Sequence, residues 1–266
     1  MKIVHFSDPH AGGGAEDWRA YLDKRWVGIF NYRFRRRFRH DLGRLSRAVE
    51  YILDTRPDLV VCTGDLTISS QPGEFARVLE LLRPLRDSRI PVLYTPGNHD
   101  CYVKHPKCVA AVENAARFLS HDEYGLADYP FARTIGSVDF LLLNCARPSN
   151  LFCSWSFMKP EEIEEVEKWC AAPHDRPRVL VSHYPMTEDH PILRIRHRLF
   201  GNRRIMKLME DKAIDLVLCG HVHKPYLKVD AEGRGECCAG SVTSNRGFFE
   251  IEVSPAGKFS FRRVDV

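Results

Sequence analysis

The chain has no apolar run near the roughly 18 residues needed to cross a bilayer. It also lacks any C-x-x-C pair, internal repeat, low-complexity tract or linker. The first absence excludes a membrane-spanning helix, and the second removes the commonest thiolate metal and redox signatures. Nine cysteines (62, 101, 108, 145, 153, 170, 219, 237 and 238) are odd in number, and Cys62 and Cys219 fall in apolar runs, where a thiol acts as a small hydrophobe. They read as reduced thiols, which points to the cytoplasm. Residues 1–8 read as a strand running straight into a polar motif; a cleaved leader would remove it, so secretion is not expected. The 266 residues, 44% of them hydrophobic, read as one α/β domain.

Positive charge is present but unevenly spread. The net charge is +4, yet residues 24–47 hold nine Lys/Arg against one acid and residues 194–207 hold six against none, which leaves −10 for the remainder. Two concentrated basic segments imply an anionic partner or surface.

Alternation and β-branching predict a strand over Lys2–Ser7, and short runs of β-branched or aliphatic residues predict strands over Leu59–Cys62, Val92–Thr95, Val138–Leu143, Val179–Ser182 and Leu216–Cys219. Apolar residues at helical spacing predict helices over Leu42–Leu53, Phe75–Leu82 (stopping before Pro84), Val109–Leu119, Pro160–Trp169 and Asn202–Met209. The tail from Tyr226 to Val266 reads as antiparallel strands, and residues 11–39 as an insertion.

Five motifs follow strands: Asp8-Pro9-His10, Gly64-Asp65, Gly97-Asn98-His99-Asp100, Ser182-His183-Tyr184-Pro185 and Gly220-His221-Val222-His223. Ligand crevices of α/β sheets form where strands end in loops. Asp8 and His10, two apart in extended chain, share a side. Asp65 follows a glycine that permits a sharp turn, and its two oxygens suit bridging two ions. Asn98 offers a neutral oxygen, and His183, His221 and His223 offer imidazoles. Oxygen and imidazole donors without thiolate suit Mn²⁺, Fe or Zn²⁺ better than Ca²⁺. Taken singly, each Asp reads equally as a turn residue and each His as a packed core residue; the ordered set points to a metal site.

In this order the motifs resemble those of the calcineurin-like metallophosphoesterase family, over residues 8 to 223. The resemblance implies a four-layer αββα sandwich, two mixed β-sheets flanked by helices. It implies two divalent transition-metal ions, Mn²⁺ foremost, one on Asp8, His10, Asp65 and His223 and the other on Asp65, Asn98, His183 and His221. A hydroxide bridging ions roughly 3.5–4 Å apart would then attack a phosphodiester or pyrophosphate in line. His99 is expected beside the ions, as an imidazolium serving the leaving group or the phosphoryl charge, with Asp100 orienting it or acting as a turn residue. A catalytically silent scaffold of the same fold is the non-enzymatic alternative.

Seven histidines (5, 40, 105, 121, 174, 190 and 197) fall outside the motifs. His5 reads as a core residue, and His190 and His197 as candidates to reach a substrate phosphate. In the insertion, Trp26, Ile29, Phe30, Phe34 and Phe38 recur at three- and four-residue steps among arginines. Three readings fit residues 24–39: packing on the body, an anionic membrane surface, or nucleic acid. With the second basic run, the resemblance extends to hydrolases of UDP-2,3-diacylglucosamine in lipid A synthesis. Soluble phosphodiesterases of cyclic or general nucleotides share the same Gly-Asn-His-Asp motif.

Overall fold

A computed structural model describes residues 1–148, 154–187 and 198–266. In chain order the elements are β1 (Lys2–Phe6), α1 (Arg25–Phe34), α2 (Leu42–Thr55), β2 (Leu59–Cys62), α3 (Pro72–Ser88), β3 (Val92–Tyr94) and α4 (Pro106–Leu119). Then come β4 (Phe131–Ile135), β5 (Val138–Leu143), β6 (Ser156–Phe157), α5 (Pro160–Ala171), β7 (Arg178–Ser182), β8 (Leu199–Phe200) and α6 (Asn202–Glu210). The last are β9 (Leu216–Cys219), β10 (Tyr226–Val229), β11 (Gly235–Cys238), β12 (Gly247–Val253) and β13 (Phe259–Asp265).

Two mixed sheets result, ordered β13-β12-β1-β2-β3 and β10-β11-β9-β7-β5-β4, with β6 and β8 forming a separate parallel pair. Strand alternation sorts side chains into layers. Ile3, Leu59, Val61 and Leu93 of the first sheet meet Phe140, Leu142, Val179 and Leu216 of the second. Val4, Phe6 and Val60, on the opposite face, pack under Leu45 and Ile52 of α2, Val78 of α3 and Val112 of α4. Leu141, Leu180 and Val217 pack against Ile163 and Val166 of α5 and Ile205 of α6. The fold is therefore a helix–sheet–sheet–helix sandwich, as the resemblance implies.

Two expectations are corrected, and one strand is added to those expected. The third helix does not stop before Pro84: it runs from Pro72 to Ser88 with the proline inside. Pro84 removes one backbone donor, but Val78, Leu79, Leu82 and Leu85 stay buried along the same face, and that burial carries the helix through. The strand β4 is not expected from its pattern because, as an edge strand paired only with β5, it is half-exposed throughout. The tail is not one antiparallel unit. Strand β11 runs parallel to β9 in the second sheet, whereas β12 and β13 close the first.

The parallel set β1, β2 and β3 and the parallel set β5, β7 and β9 each end in loops. Those loops from both sheets carry the motif residues.

Candidate metal centre

Three of the five motif loops reach the centre through backbone that ordinary residues avoid. Asp8 (φ 54°), His10 (52°), Asp65 (54°), His221 (71°) and His223 (58°) all lie in the left-handed region. Such conformations cost of order 1–3 kcal/mol each and persist where the surroundings impose them, characteristically at functional sites. Glycines make room for the crossing loops. A Cβ on Gly97 would sit 2.1 Å from Asp65 Oδ1, and one on Gly220 would sit 2.0 Å from Ser7 Oγ.

All seven sequence-predicted ligand candidates converge. Asp8, His10, Asp65 and His223 bring one donor atom each within 4.8 Å of one another, as do Asp65, His183 and His221. Around the first group, His10 Nε2 lies 2.8 Å from His223 Nε2, 3.5 Å from Asp8 Oδ1 and 3.6 Å from Asp65 Oδ2; His223 Nε2 lies 3.4 Å from Asp8 Oδ1. Around the second, His183 Nε2 lies 3.1 Å from His221 Nδ1, 3.2 Å from Asn98 Oδ1 and 3.5 Å from Asp65 Oδ2. Donors about 2.1 Å from a shared cation stand about 3.0 Å apart at a right angle and about 3.4 Å apart at a tetrahedral one. The observed separations have that size.

Hydrogen bonding is consistent with cations at these points. Asp8 Oδ1 and Asp65 Oδ2, both buried, have no hydrogen-bond partner, and unsatisfied buried carboxylate oxygens are costly unless a cation meets them. His183 Nδ1 lies 2.6 Å from Thr63 O and His10 Nδ1 lies 3.1 Å from Thr67 O. A carbonyl only accepts, so Nδ1 carries a proton in both rings and Nε2 is the nitrogen that faces the cluster.

The electrostatics follow from burial against charge. Burial alone would raise both acids. Neighbouring histidines outweigh it, holding Asp8 and Asp65 well below the usual carboxylate range. Burial would lower His183, but Asp65 pushes it up to about 9. His10 is lowered, chiefly by burial. His5 is a core residue as expected: it is buried, lies 3.1 Å from Thr63 Oγ1, and burial takes it down to about 3.

His99 stands outside both groups, its ring 5.0 Å from that of His10 and stacked on Tyr102. Its expected imidazolium form is corrected. His99 Nδ1 lies 2.6 Å from Ile68 O and must donate to it. Arg36 Nη1 and Nη2 both lie 3.3 Å from His99 Nε2. A guanidinium only donates, so Nε2 accepts and the ring is neutral. Burial, then Arg36, holds its pKa well below the ordinary value. The expected hydrogen bond from Asp100 to His99 is also corrected. Asp100 Oδ1 accepts from Thr67 N (3.0 Å) and Oδ2 from Tyr94 OH (2.9 Å) and Gly97 N (3.0 Å), so it pins the loops that carry Asn98 and His99.

Arg36 and His40 are residues of the site that the sequence does not single out. His40 Nδ1 lies 2.8 Å from Thr243 Oγ1 and its ring is 4.9 Å from that of His10. Arg36 belongs to the basic aromatic stretch 24–39, in which six arginines look alike until the fold chooses one, and His40 directly follows it. The packing reading of that stretch does not hold for its stripe: Ile29 is buried, but Trp26, Phe30, Phe34 and Phe38 are 44–73% exposed, and Trp18, Tyr21 and Leu22 join them on the surface. In the second basic run, Arg204 pairs with Glu167 and Lys207 with Asp211. Residues 194–197, with His190 and His197, lie outside the described residues. Among the described residues, no helix is long and apolar enough to cross a membrane.

The sequence profile of the calcineurin-like phosphoesterases matches residues 1–225. Two curated relatives are similar in part. The DNA double-strand break repair protein Mre11 of Methanococcus maripaludis is 31% identical over 103 residues, 38% of this chain and 23% of that protein. A 3′,5′-cyclic-nucleotide phosphodiesterase of a Nostoc species is 21% identical over 170 residues, 64% of this chain and 57% of that protein. The matches thus span a quarter to about half of those relatives' lengths. Among solved structures, a dimetal phosphatase from Danio rerio superposes with a TM-score of 0.66 at 15% identity, covering 100% of this chain and 98% of its own. Yellow lupin purple acid phosphatase superposes at 0.61 and 12% identity, covering 99% of this chain and 51% of its own. At these identities the superpositions speak for the fold, and with the profile match across most of the chain they lead to one conclusion: the chain belongs to the calcineurin-like phosphoesterase family.

Proposed function

We propose that the chain is a metal-dependent phosphoester hydrolase with two divalent transition-metal ions. Asp8, His10, Asp65 and His223 would hold one and Asp65, Asn98, His183 and His221 the other, with Asp65 common to both. The observation that carries this reading is the pair of orphaned oxygens, Asp8 Oδ1 and Asp65 Oδ2, each facing imidazole nitrogens at the spacing of donors around a cation. Oxygen and nitrogen donors without sulfur favour Mn²⁺, with Fe and Zn²⁺ next. Such ions supply Lewis acidity towards the phosphoryl group and acidify a coordinated water.

The chain's own residues do the rest. Thr63 and Thr67 carbonyls hold the His183 and His10 rings through Nδ1, so each Nε2 is already turned toward the cluster. Asp100 holds the Gly97–His99 turn against Thr67 and Tyr94. Arg36, aimed by His99, presents fixed positive charge where charge develops on a transferring phosphoryl group. A silent scaffold would have no use for two buried carboxylates left short of partners.

For the substrate we favour a lipid-linked diphosphate at a membrane surface, UDP-2,3-diacylglucosamine being the named choice. Support comes from the exposed aromatic residues between 18 and 38, interleaved with Arg33, Arg35, Arg37 and Arg39, a composition suited to an anionic bilayer interface. The second reading, a soluble phosphodiesterase of cyclic or linear nucleotides, draws on the Nostoc relative. Purified protein should turn over acylated diphosphates faster than cyclic nucleotides and sediment with anionic vesicles, and Phe30→Ser with Phe34→Ser should abolish the sedimentation. Preference for cyclic nucleotides with no vesicle binding would decide for the second reading.

A further inference from the structure

Beside the metal centre, and sharing only His223 with its seven candidate ligands, lies a cationic cavity of about 710 Å³. Arg35, Arg36, Arg39, Arg44, Lys224 and Arg246 line it, and no carboxylate does. These side chains come from three distant stretches: the connection from α1 into α2, the β9–β10 loop and the β11–β12 loop. Two are already engaged, Arg36 on His99 and Arg44 on the Thr243 carbonyl with Asp41 at 3.8 Å. Arg35, Arg39, Lys224 and Arg246 form no ion pair among the described residues.

We propose that this cavity is a second anion subsite, and that the substrate carries a further phosphoryl group beside the one hydrolysed: it is a diphosphate. The proposal rests on the reading of the centre as a phosphoester hydrolase and deepens it.

Exposed arginines are ordinarily just hydrated. Here, however, three separate segments aim like charges into one concavity, and their mutual repulsion opposes the arrangement until an anion fills it. Position ties the cavity to the chemistry. His223 belongs to its wall and to the first ligand group, His40 packs 6.0 Å from His223, and Arg36 reaches from the wall to His99. A phosphoryl group at the metals therefore has its neighbour within reach of the cationic wall. A cyclic nucleotide or aryl diester, with one phosphate, would leave most of these charges uncompensated. The volume suits a small-molecule headgroup. Besides the imidazoles of His40 and His223, which pack on each other beside the metal centre, the lining has one aromatic ring, Phe38, and so does not offer the row of stacking platforms a single strand of nucleic acid uses.

The test measures calorimetric binding to metal-loaded protein of a nucleoside α,β-methylenediphosphate and the matching monophosphate, with metal content determined throughout. The diphosphate analogue should bind at least about 10-fold more tightly than the monophosphate. That advantage should vanish in Arg39→Ala with Arg246→Ala, and Arg39→Lys should keep most of it, each variant retaining its metal. Both substituted side chains are exposed, so the folded protein is expected to survive. Equal binding of the two nucleotides, or an advantage unchanged in the double variant, would overturn the subsite while leaving the hydrolase reading intact. A single-stranded oligonucleotide displacing the diphosphate at lower concentration would overturn it in favour of a nucleic-acid surface. Absence of bound metal in wild-type protein would instead count against the hydrolase reading itself.

Discussion

Gly97→Ala is the substitution whose effect can be worked most directly from the structure. Gly97 crosses behind Asp65, and a methyl group there would meet Asp65 Oδ1 at 2.1 Å and Asp65 N at 2.5 Å. Since real Cβ contacts stay beyond 3.0 Å, the carboxylate must retreat by at least 0.9 Å, and the backbone nitrogen cannot retreat freely. Asp65 is also tied to the motif through Oδ1, which accepts from His99 N at 2.8 Å. Overpacking of this kind typically costs about 1–3 kcal/mol of stability. A displacement of about 1 Å in a positioned group costs on the order of 10²-fold in rate. The variant should therefore lose part of its metal, lower its melting temperature and turn over an aryl phosphodiester about 100-fold more slowly. Gly14→Ala is the matched control: a Cβ there meets nothing within 4 Å, and metal content and rate should stay at wild-type values. Wild-type metal content and rate in Gly97→Ala would refute the placing of Asp65 at the heart of the centre.

Two other outcomes follow from the geometry. His99→Ala should keep both ions and slow turnover by about 10²–10³-fold, because Arg36 loses the acceptor that aims it, while His99→Gln, which keeps an acceptor, should recover part of the loss; metal loss in His99→Ala would make the residue a ligand. Glu74 is enclosed by Ser69 and Gln71, and burial pushes its carboxyl from 4.5 up to about 7. Between those values the folded state holds a proton that the unfolded state has released, so this group's contribution makes stability fall as pH rises from about 4.5 to 7, by on the order of 3 kcal/mol in all. Denaturant melts of Glu74→Gln should show a flatter pH dependence over that window than wild type, and parallel curves would refute the assignment.

Much of this was legible because the motif residues follow short runs that are apolar at every position, as with Leu59–Cys62 before Asp65 and Leu216–Cys219 before His221. The layers came from the family resemblance, because strands buried on both faces, such as Leu59–Cys62, carry no alternation that would tell one face from the other. What was not legible depends on long-range contact. Pro84 ends a helix by local rules, and only the burial of Leu82 and Leu85 overrides them. Asp100 adjoins His99 in sequence, yet its oxygens turn to Thr67, Tyr94 and Gly97. Arg36 is one arginine in a run, and nothing local distinguishes it from Arg35 or Arg37; the fold alone brings it to His99, 63 residues on.

The most direct test of the central claim is elemental analysis of purified protein, paired with turnover of an aryl phosphodiester before and after chelation. The account predicts close to two transition-metal ions per chain, fewer in Asp65→Asn, with activity lost on stripping and regained when metal is returned. Full activity in rigorously metal-free protein would contradict it.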